Sequence, residues 1–394
     1  MTIEHVYICA SEQDLRYTCC CVASVRRWYP DIPITLLKDE TSGPYDTREL
    51  EEAWDVELWS GERPLPGRGW AKLEPLFGER RQRCLILDSD TVLLGRVIER
   101  LEAANADFVV ESVGAWEPQL AQHYLDPPLL EKLDPQFRYP GYTFNAGALA
   151  ATTGLLGRAD FEPWVRFDHP PHRVRNDAFG ETQTQGILNY VLLRAAQEER
   201  LRFARVSFML WGWSRLASRG AQAVTAVRVA DGDGLPYLVH WHGRKHKLLS
   251  LQRNAALLRH YERAYFERVA SGRRKRIGRI AKLLAEIATG RATEQVSHRY
   301  PCMPPAPKRL RPIEEIFVIG TAEDLRYTRC CVASIRRWYP DIPITLVKDE
   351  SGGGYDTREL EEAWNVRALA PDDRFRGLWT KLVPLLDPTR VDAV

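Results

Sequence analysis

The sequence predicts an α/β fold, a mixed sheet flanked by helices, and three observations lead there. Short apolar runs alternate with helix-length segments along roughly the first 250 residues, one apolar run ends on a pair of aspartates, and the opening of the chain recurs near its end. Alternation of strand and helix patterns is the signature of parallel sheets built from βαβ units.

Glu4 to Ala10 reads as the first strand, and Asp14 stands where an N-cap for a helix over Leu15 to Trp28 is expected. Pro30 stops that helix, and Ile32 to Leu37 forms the second strand. A turn at Gly43-Pro44 leads to a helix over Thr47 to Trp54 and a strand over Val56 to Trp59. Gly67-Arg-Gly-Trp70 opens a helix over Ala71 to Phe77, which delivers the chain to the run Arg83-Cys-Leu-Ile-Leu-Asp-Ser-Asp90. Leu85 to Leu87 is apolar without alternation, as in a strand covered on both faces. Asp88 and Asp90 are two residues apart, so on extended backbone they point the same way and can share one ion at the strand's carboxyl end. In open α/β sheets ligands bind at that end. Hard carboxylates suit Mg²⁺ or Mn²⁺, with a diphosphate filling the remaining positions.

A helix over Val97 to Ala104 and a strand over Phe108 to Glu111 follow. Trp116 to Tyr142 is rich in proline and aromatics and reads as a lid or acceptor-binding excursion. Thr143 to Ala151 returns to the core with small residues that permit close backbone approach. Thr184 to Gln197 is helical, with Ile187, Leu188, Val191 and Leu192 inward. His240 ends the last strand, before Gly243 and the basic run Arg244-Lys-His-Lys247, and His242 shares its face only if that strand continues. Trp211-Gly-Trp213 offers rings that stack on sugars or fill a core.

Leu248 to Arg291 is helical and increasingly basic, with Ile277, Ile280, Leu283, Leu284 and Ile287 near one face. Residues 273–291 suit peripheral contact with an anionic membrane, where each basic residue adds about 1 kcal/mol, as well as they suit a solvated packed helix. Pro301, Pro304, Pro305 and Pro307 mark a linker. A net charge of +2 gives no reason to expect nucleic acid. No segment reads as a signal peptide or a membrane span, and the eight cysteines show no metal-type spacing. The expectation is a reduced, cytoplasmic protein, peripheral at most to the inner face of a membrane.

Asp14-Leu-Arg-Tyr-Thr recurs as Asp324-Leu-Arg-Tyr-Thr, and from Asp14/Asp324 to Val56/Val366 the two copies differ at 7 of 43 positions. With the offset one smaller, Trp70-Ala-Lys72 matches Trp379-Thr-Lys381. A period this long signals a duplicated domain. The copy carries the first half of the fold without the aspartates, so it is expected to be catalytically inert and, with an unpaired sheet edge, either to dock on the first domain or to swap between chains. The expected domains are therefore 1–250, a basic helical segment 251–292, a Pro-rich linker 293–312 and a partial repeat 313–394.

The early strand-helix-strand, Leu87-Asp-Ser-Asp90, Phe144-Asn-Ala-Gly147, Gln185-Gly-Ile-Leu-Asn189 and His240-Trp-His-Gly243 come in the order seen in family 8 glycosyltransferases of the GT-A fold, and the chain resembles them over roughly residues 1–250. The resemblance implies a Rossmann-like GT-A domain that moves a sugar from a nucleotide-diphosphate donor, usually a UDP-sugar, to an acceptor hydroxyl of a glycan or glycolipid with retention. It implies Mn²⁺ (or Mg²⁺) on Asp88, Asp90 and His240, with Asn145 near the sugar and Gln185 beside the reacting carbon. Lys72 would face the donor and Ala10 would lie under the base. Thr184 stands where the family often has Asp. His246 stands where it has lysine, which leaves Lys245 and Lys247 as equal candidates for the diphosphate contact. Asp177 and Glu181 precede the Gln185 helix, but neither is assignable as a nucleophile.

Two other readings compete. A sugar-nucleotide nucleotidyltransferase would show a Gly-rich loop after the first strand, and Ala10-Ser-Glu-Gln-Asp14 has no glycine. A non-catalytic nucleotide-sugar-binding or scaffolding protein is suggested by the partial repeat and by Thr184 and His246.

Overall fold

The computed structural model describes residues 2–41, 43–61, 65–67, 69–113, 117–168, 172–214, 217, 234–243, 245–289, 295–296, 315–350 and 354–369. The Pro-rich segment, Trp116, Arg244 and Trp379-Thr-Lys381 lie outside those residues, except for Gln295–Val296. The chain forms two compact units, Met1–Pro301 and Cys302–Val394.

The first unit opens with β1 (His5–Ser11), α1 (Leu15–Trp28), β2 (Ile34–Asp39), α2 (Arg48–Trp54) and β3 (Val56–Leu58). A 3-10 helix, Trp70–Phe77, then precedes β4 (Arg83–Asp88) and the short β5 (Thr91–Leu93). The segment expected as one helix over Ala71 to Phe77 takes the tighter form, and Pro75 within it cannot donate the backbone bond an α-helix needs. Next come α3 (Ile98–Glu102), β6 (Phe108–Val113), α4 (Glu117–His123) and α5 (Pro127–Leu133). The excursion after Trp116 thus contains two helices, and Asp126 caps the second by accepting from Leu129 N. The unit continues with β7 (Thr143–Thr152), α6 (Arg158–Phe161), β8 (Val165–Arg166), β9 (Arg173–Val174), α7 (Gln183–Gln197), β10 (Phe203–Arg205), β11 (Met209–Trp211), β12 (Leu238–His240) and β13 (Lys245–His246). It closes with α8 (Ala255–Arg268), α9 (Gly272–Ala288) and β14 (Gln295–Val296).

The main sheet runs β10-β6-β7-β4-β1-β2-β3. All pairings are parallel except those of β7, which is antiparallel to β4 and β6. Residue alternation divides it between two cores: Val6, Ile8, Leu85 and Leu87 pack with α1 and α8, while Tyr7, Cys84 and Ile86 pack with α7. A central strand buried on both faces gains about 2 kcal/mol for each such side chain, which explains why the run before Asp88 has no polar alternation.

A second sheet, β11-β12-β5, branches from the main one just after Asp90. β12 is antiparallel to β5, with His240 opposite Thr91, and parallel to β11, with His240 beside Trp211. This register carries a histidine 150 residues downstream to the end of β4.

α8 covers α1: Cys20 Sγ donates to Leu258 O, Trp28 Nε1 donates to Tyr261 Oη at 3.2 Å, and Trp54 stacks on Tyr265 with centroids 5.4 Å apart. α9 lies further out. Lys275 and Arg279 pair with Glu49 at 3.2 and 3.0 Å, and Arg276 pairs with Glu262 at 3.2 Å, while Ile277 and Leu284 are 59% and 49% exposed. No helix of the described residues is long and apolar enough to cross a membrane.

The second unit holds β15 (Ile316–Thr321), α10 (Leu325–Trp338), β16 (Ile344–Asp349), α11 (Arg358–Trp364) and β17 (Val366–Leu369), with the strands parallel in that order. Its core of Val318, Val332, Ile344, Leu346, Leu360 and Val366 uses the positions occupied in the first unit by Ile8, Val22, Ile34, Leu36, Leu50 and Val56. Arg336 donates to the carbonyls of Ile342, Trp364 and Asn365, as Arg26 does to those of Ile32, Trp54 and Asp55. The outer faces differ. Tyr17 and Trp54 are 1% and 4% exposed, but their counterparts Tyr327 and Trp364 are 63% and 36% exposed. Among the described residues of this unit, β15 has no neighbour on the side where β1 pairs with β4.

Candidate active site

Asp88 is the last residue of β4, whereas Asp90 lies in the turn that joins β4 to β5. The two carboxylates therefore do not converge by strand alternation, as the i, i+2 spacing suggested. A tight reversal brings them together, pinned by Ser89 N donating to Cys9 O at 3.1 Å and Thr91 Oγ1 donating to Asp88 O at 2.8 Å. Trp241 N donates to Asp90 O at 3.0 Å, which locks β12 against the same turn.

One ligand atom each from Asp88, Asp90 and His240 lies within 4.8 Å of the others. Ligand atoms sit about 2.0–2.6 Å from a divalent cation, so two atoms on one ion are at most about 4–5 Å apart, and this cluster meets that condition. Two carboxylates and a neutral imidazole suit Mn²⁺ or Mg²⁺. His240 is 3% exposed, its Nε2 lies 3.3 Å from Asp90 Oδ1, and its Nδ1 is buried with no hydrogen-bond partner among the described residues. The ring sits directly on β7. A Cβ at Gly147 would lie 2.3 Å from His240 Cε1, so the glycine of Phe144-Asn-Ala-Gly147 is what lets the imidazole reach the aspartates. His242 lies beyond the end of β12, is exposed, and does not join the cluster.

Two lysines flank the carboxylates. Lys72 Nζ is 2.7 Å from Asp88 Oδ1 and donates to Ala146 O at 2.9 Å. Its 3-10 helix starts from Gly69, whose φ of 82° favours glycine. Lys245 Nζ lies 2.8 Å from Asp90 Oδ2 and 2.9 Å from Asp14 Oδ1, and all three side chains are under 10% exposed. Asp14 makes no side-chain cap for α1; its carboxylate holds Lys245 instead. Burial alone would raise the Asp90 carboxyl, but Lys245 and His240 outweigh it and hold Asp90 well below the usual carboxylate range. Burial likewise opposes the Lys245 charge, and Asp14 and Asp90 more than offset that. Of the two lysines left open by the sequence, Lys245 enters this cluster, whereas the carbonyl of Lys247 accepts from Arg16 Nη1 at 2.6 Å.

The opposite wall is an amide network. Gln185 Oε1 accepts from Asn145 Nδ2 at 3.1 Å and Ala146 N at 3.2 Å, while Gln185 Nε2 donates to His123 O at 3.1 Å. Asn145 Oδ1 accepts from Gly147 N at 2.8 Å. Both lone pairs of the Gln185 oxygen are therefore used, and the group can offer one further N–H but cannot act as a base. Thr184 is buried, and Glu181 faces Gln122 at 3.5 Å, outside the cluster. At the other end, Ala10 is buried and its carbonyl accepts from Tyr45 Oη at 2.9 Å, with Lys38 Nζ 4.9 Å from the Tyr45 ring centroid.

No protein-family model and no curated protein matches the chain. Among solved structures, it is similar to the glycosyltransferase GlyE of Streptococcus pneumoniae TIGR4, at 14% identity over 93% of this chain and 80% of that one, with a TM-score of 0.36. It is also similar to the galactosyltransferase LgtC in complex with donor and acceptor sugar analogs, at 14% identity over 66% and 95% of the two chains, with a TM-score of 0.37. The bifunctional glycosyltransferase WbbM overlaps 68% of this chain and 50% of its own at 12% identity, with a TM-score of 0.40. All three are glycosyltransferases, and at such identities and scores the likeness assigns no activity here.

Sequence reasoning missed Asp14, Arg16 and Tyr17 as parts of the site. Arg16 holds Lys247 O and Glu262, and Tyr17 Oη donates to His246 O at 2.9 Å, so the first turn of α1 grips the segment that carries Lys245. The repeated Asp-Leu-Arg-Tyr-Thr was the available signal, and in the second unit the counterparts of these three, Asp324, Arg326 and Tyr327, are exposed.

Proposed function

We propose that the first unit is a metal-dependent glycosyltransferase that moves a hexosyl group from a UDP-sugar to an acceptor hydroxyl of a glycan or glycolipid, with retention. The observation that carries this reading is the convergence of Asp88, Asp90 and His240 within 4.8 Å at the carboxyl end of the central strand β4, with two lysines at its margin. The bound ion, Mn²⁺ or Mg²⁺, would act as a Lewis acid toward the diphosphate.

The chain's own residues set the rest. Lys245 is fixed by two carboxylates, so its charge is already in place where a leaving diphosphate needs it, and Lys72 supplies a second positive charge across the cluster. Gln185 and Asn145 hold each other rigid and present their remaining N–H groups toward a sugar. Ala10 and Tyr45 would floor the base at the end of β1. No carboxylate in the cluster is left over as a nucleophile, which favours attack from the face the nucleotide leaves, with the departing phosphate taking the acceptor's proton. Incubation with a panel of UDP-sugars and Mn²⁺ should release UDP from at least one donor and lose that activity with EDTA. Absence of UDP release across the panel, with the chain folded, would reject the reading in favour of a scaffold.

The reading extends to the surfaces. Arg273 and Arg274 beside the exposed Ile277 and Leu284 support peripheral contact of residues 273–291 with an anionic bilayer, and the exposed Tyr327 and Trp364 support self-association through the partial repeat. Sedimentation checks both: the chain should pellet with phosphatidylglycerol vesicles but not with phosphatidylcholine ones, and alone should run larger than a monomer. Equal pelleting with both lipids, or a purely monomeric chain, would remove the corresponding surface from the proposal.

A further inference from the structure

Trp211 and Trp213 stack face to face beside the cluster, with centroids 5.4 Å apart and planes 4° from parallel. His242 stands edge-on to both rings, at 4.5 Å from Trp211 and 4.7 Å from Trp213. Trp211 lies 5.8 Å from His240, so the shelf begins at a metal-ligand candidate and runs outward. Trp213 is 46% exposed although one face is covered by Trp211, and it is the only exposed tryptophan among the described residues of the first unit.

The shelf is built rather than loose. Gly212 N donates to His240 O at 2.9 Å, and Gly212 O accepts from Asn254 Nδ2 at 2.6 Å. A Cβ at Gly212 would lie 2.4 Å from Cδ1 of the buried Trp241, so glycine lets the Trp-Gly-Trp segment lie flat on that ring. The donor reading already assigns the base to Ala10 and Tyr45 and makes no use of this shelf. An indole face held open next to a polar reaction centre fits a ligand that is apolar on one face and hydroxylated at its rim, which describes a pyranose ring.

We infer that the outer face of Trp213, edged by His242, is an acceptor subsite that stacks a pyranose ring of a saccharide. The inference rests on the glycosyltransferase reading for the word acceptor but not for the binding itself. Trp213→Ala removes the platform and Trp213→Phe keeps a smaller one. Saturation-transfer difference NMR with lactose, cellobiose and maltose, without donor, should show transfer to ring protons of at least one disaccharide in the wild type. That signal should vanish in Trp213→Ala and return in part in Trp213→Phe. In transfer assays, the KM for the same disaccharide should rise about tenfold in Trp213→Ala while the KM for the UDP-sugar changes far less. No saturation transfer from any of the three in the wild type, or an acceptor signal and KM indifferent to Trp213→Ala, would overturn the inference. Saccharide binding through Trp213 in a chain that cleaves no UDP-sugar would instead leave the shelf standing as a carbohydrate site and reject the transferase reading.

Discussion

Replacing Asp88 by Asn lowers UDP-sugar turnover by about 10³-fold while leaving the chain folded. Loss of one of two anionic ligands weakens the ion that offsets charge on the leaving diphosphate, an effect of several kcal/mol. Stability should change little, because the Asp88 side chain is 30% exposed and Lys72 keeps its bond to Ala146 O. Steady-state kinetics with a melting curve on the same sample separate the two effects. A variant within about tenfold of wild-type turnover would show that Asp88 holds nothing the reaction needs.

Replacing Lys245 by Met acts on the fold as well as the chemistry. It strands Asp14 and Asp90, both nearly buried, without their shared cation. Removing one partner of a buried ion pair costs about 3–5 kcal/mol. In a unit of this size that lowers Tm by roughly 10 °C. The pH dependence has a definite sign. Asp90 is held below its ordinary carboxylate range, so its contribution is present above the unfolded value near pH 3.9 and fades as pH falls toward the depressed one. The Lys245→Met penalty should therefore be full at neutral pH and shrink in acid. Chemical denaturation at pH 7 and pH 3 reads it, and a loss under about 1 kcal/mol at pH 7 would mean that water reaches the pair.

Much of the framework was legible because its signals are local. The apolar run before Asp88, the period of α1 and the buried face of α7 each depend on residues a few positions apart, and the structure forms β4, α1 and α7 there. Asp88, Asp90 and His240 were recognisable as residue types, but their meeting depends on the β5/β12 register and on Gly147, which no spacing reveals. The Asp14 side chain looked like a cap because caps are read from the next few residues, whereas its partner lies more than 200 positions away. Lys245 and Lys247 were inseparable for the same reason. Their placement follows from a two-residue strand pairing Lys245 with Val296 and from Arg16 seizing the Lys247 carbonyl. The apolar residues of α9 look in sequence like a packing stripe, yet none is buried, since the helix is held by Lys275, Arg276 and Arg279.

Isothermal titration of UDP, with and without Mn²⁺, tests the metal-centred account most directly. Binding should be at least tenfold tighter with Mn²⁺ in the wild type, and that gain should disappear in Asp88→Asn. UDP affinity indifferent to Mn²⁺ in the wild type, or a Mn²⁺ gain that survives the substitution, would contradict the claim that this carboxylate pair and His240 hold the ion that meets the diphosphate.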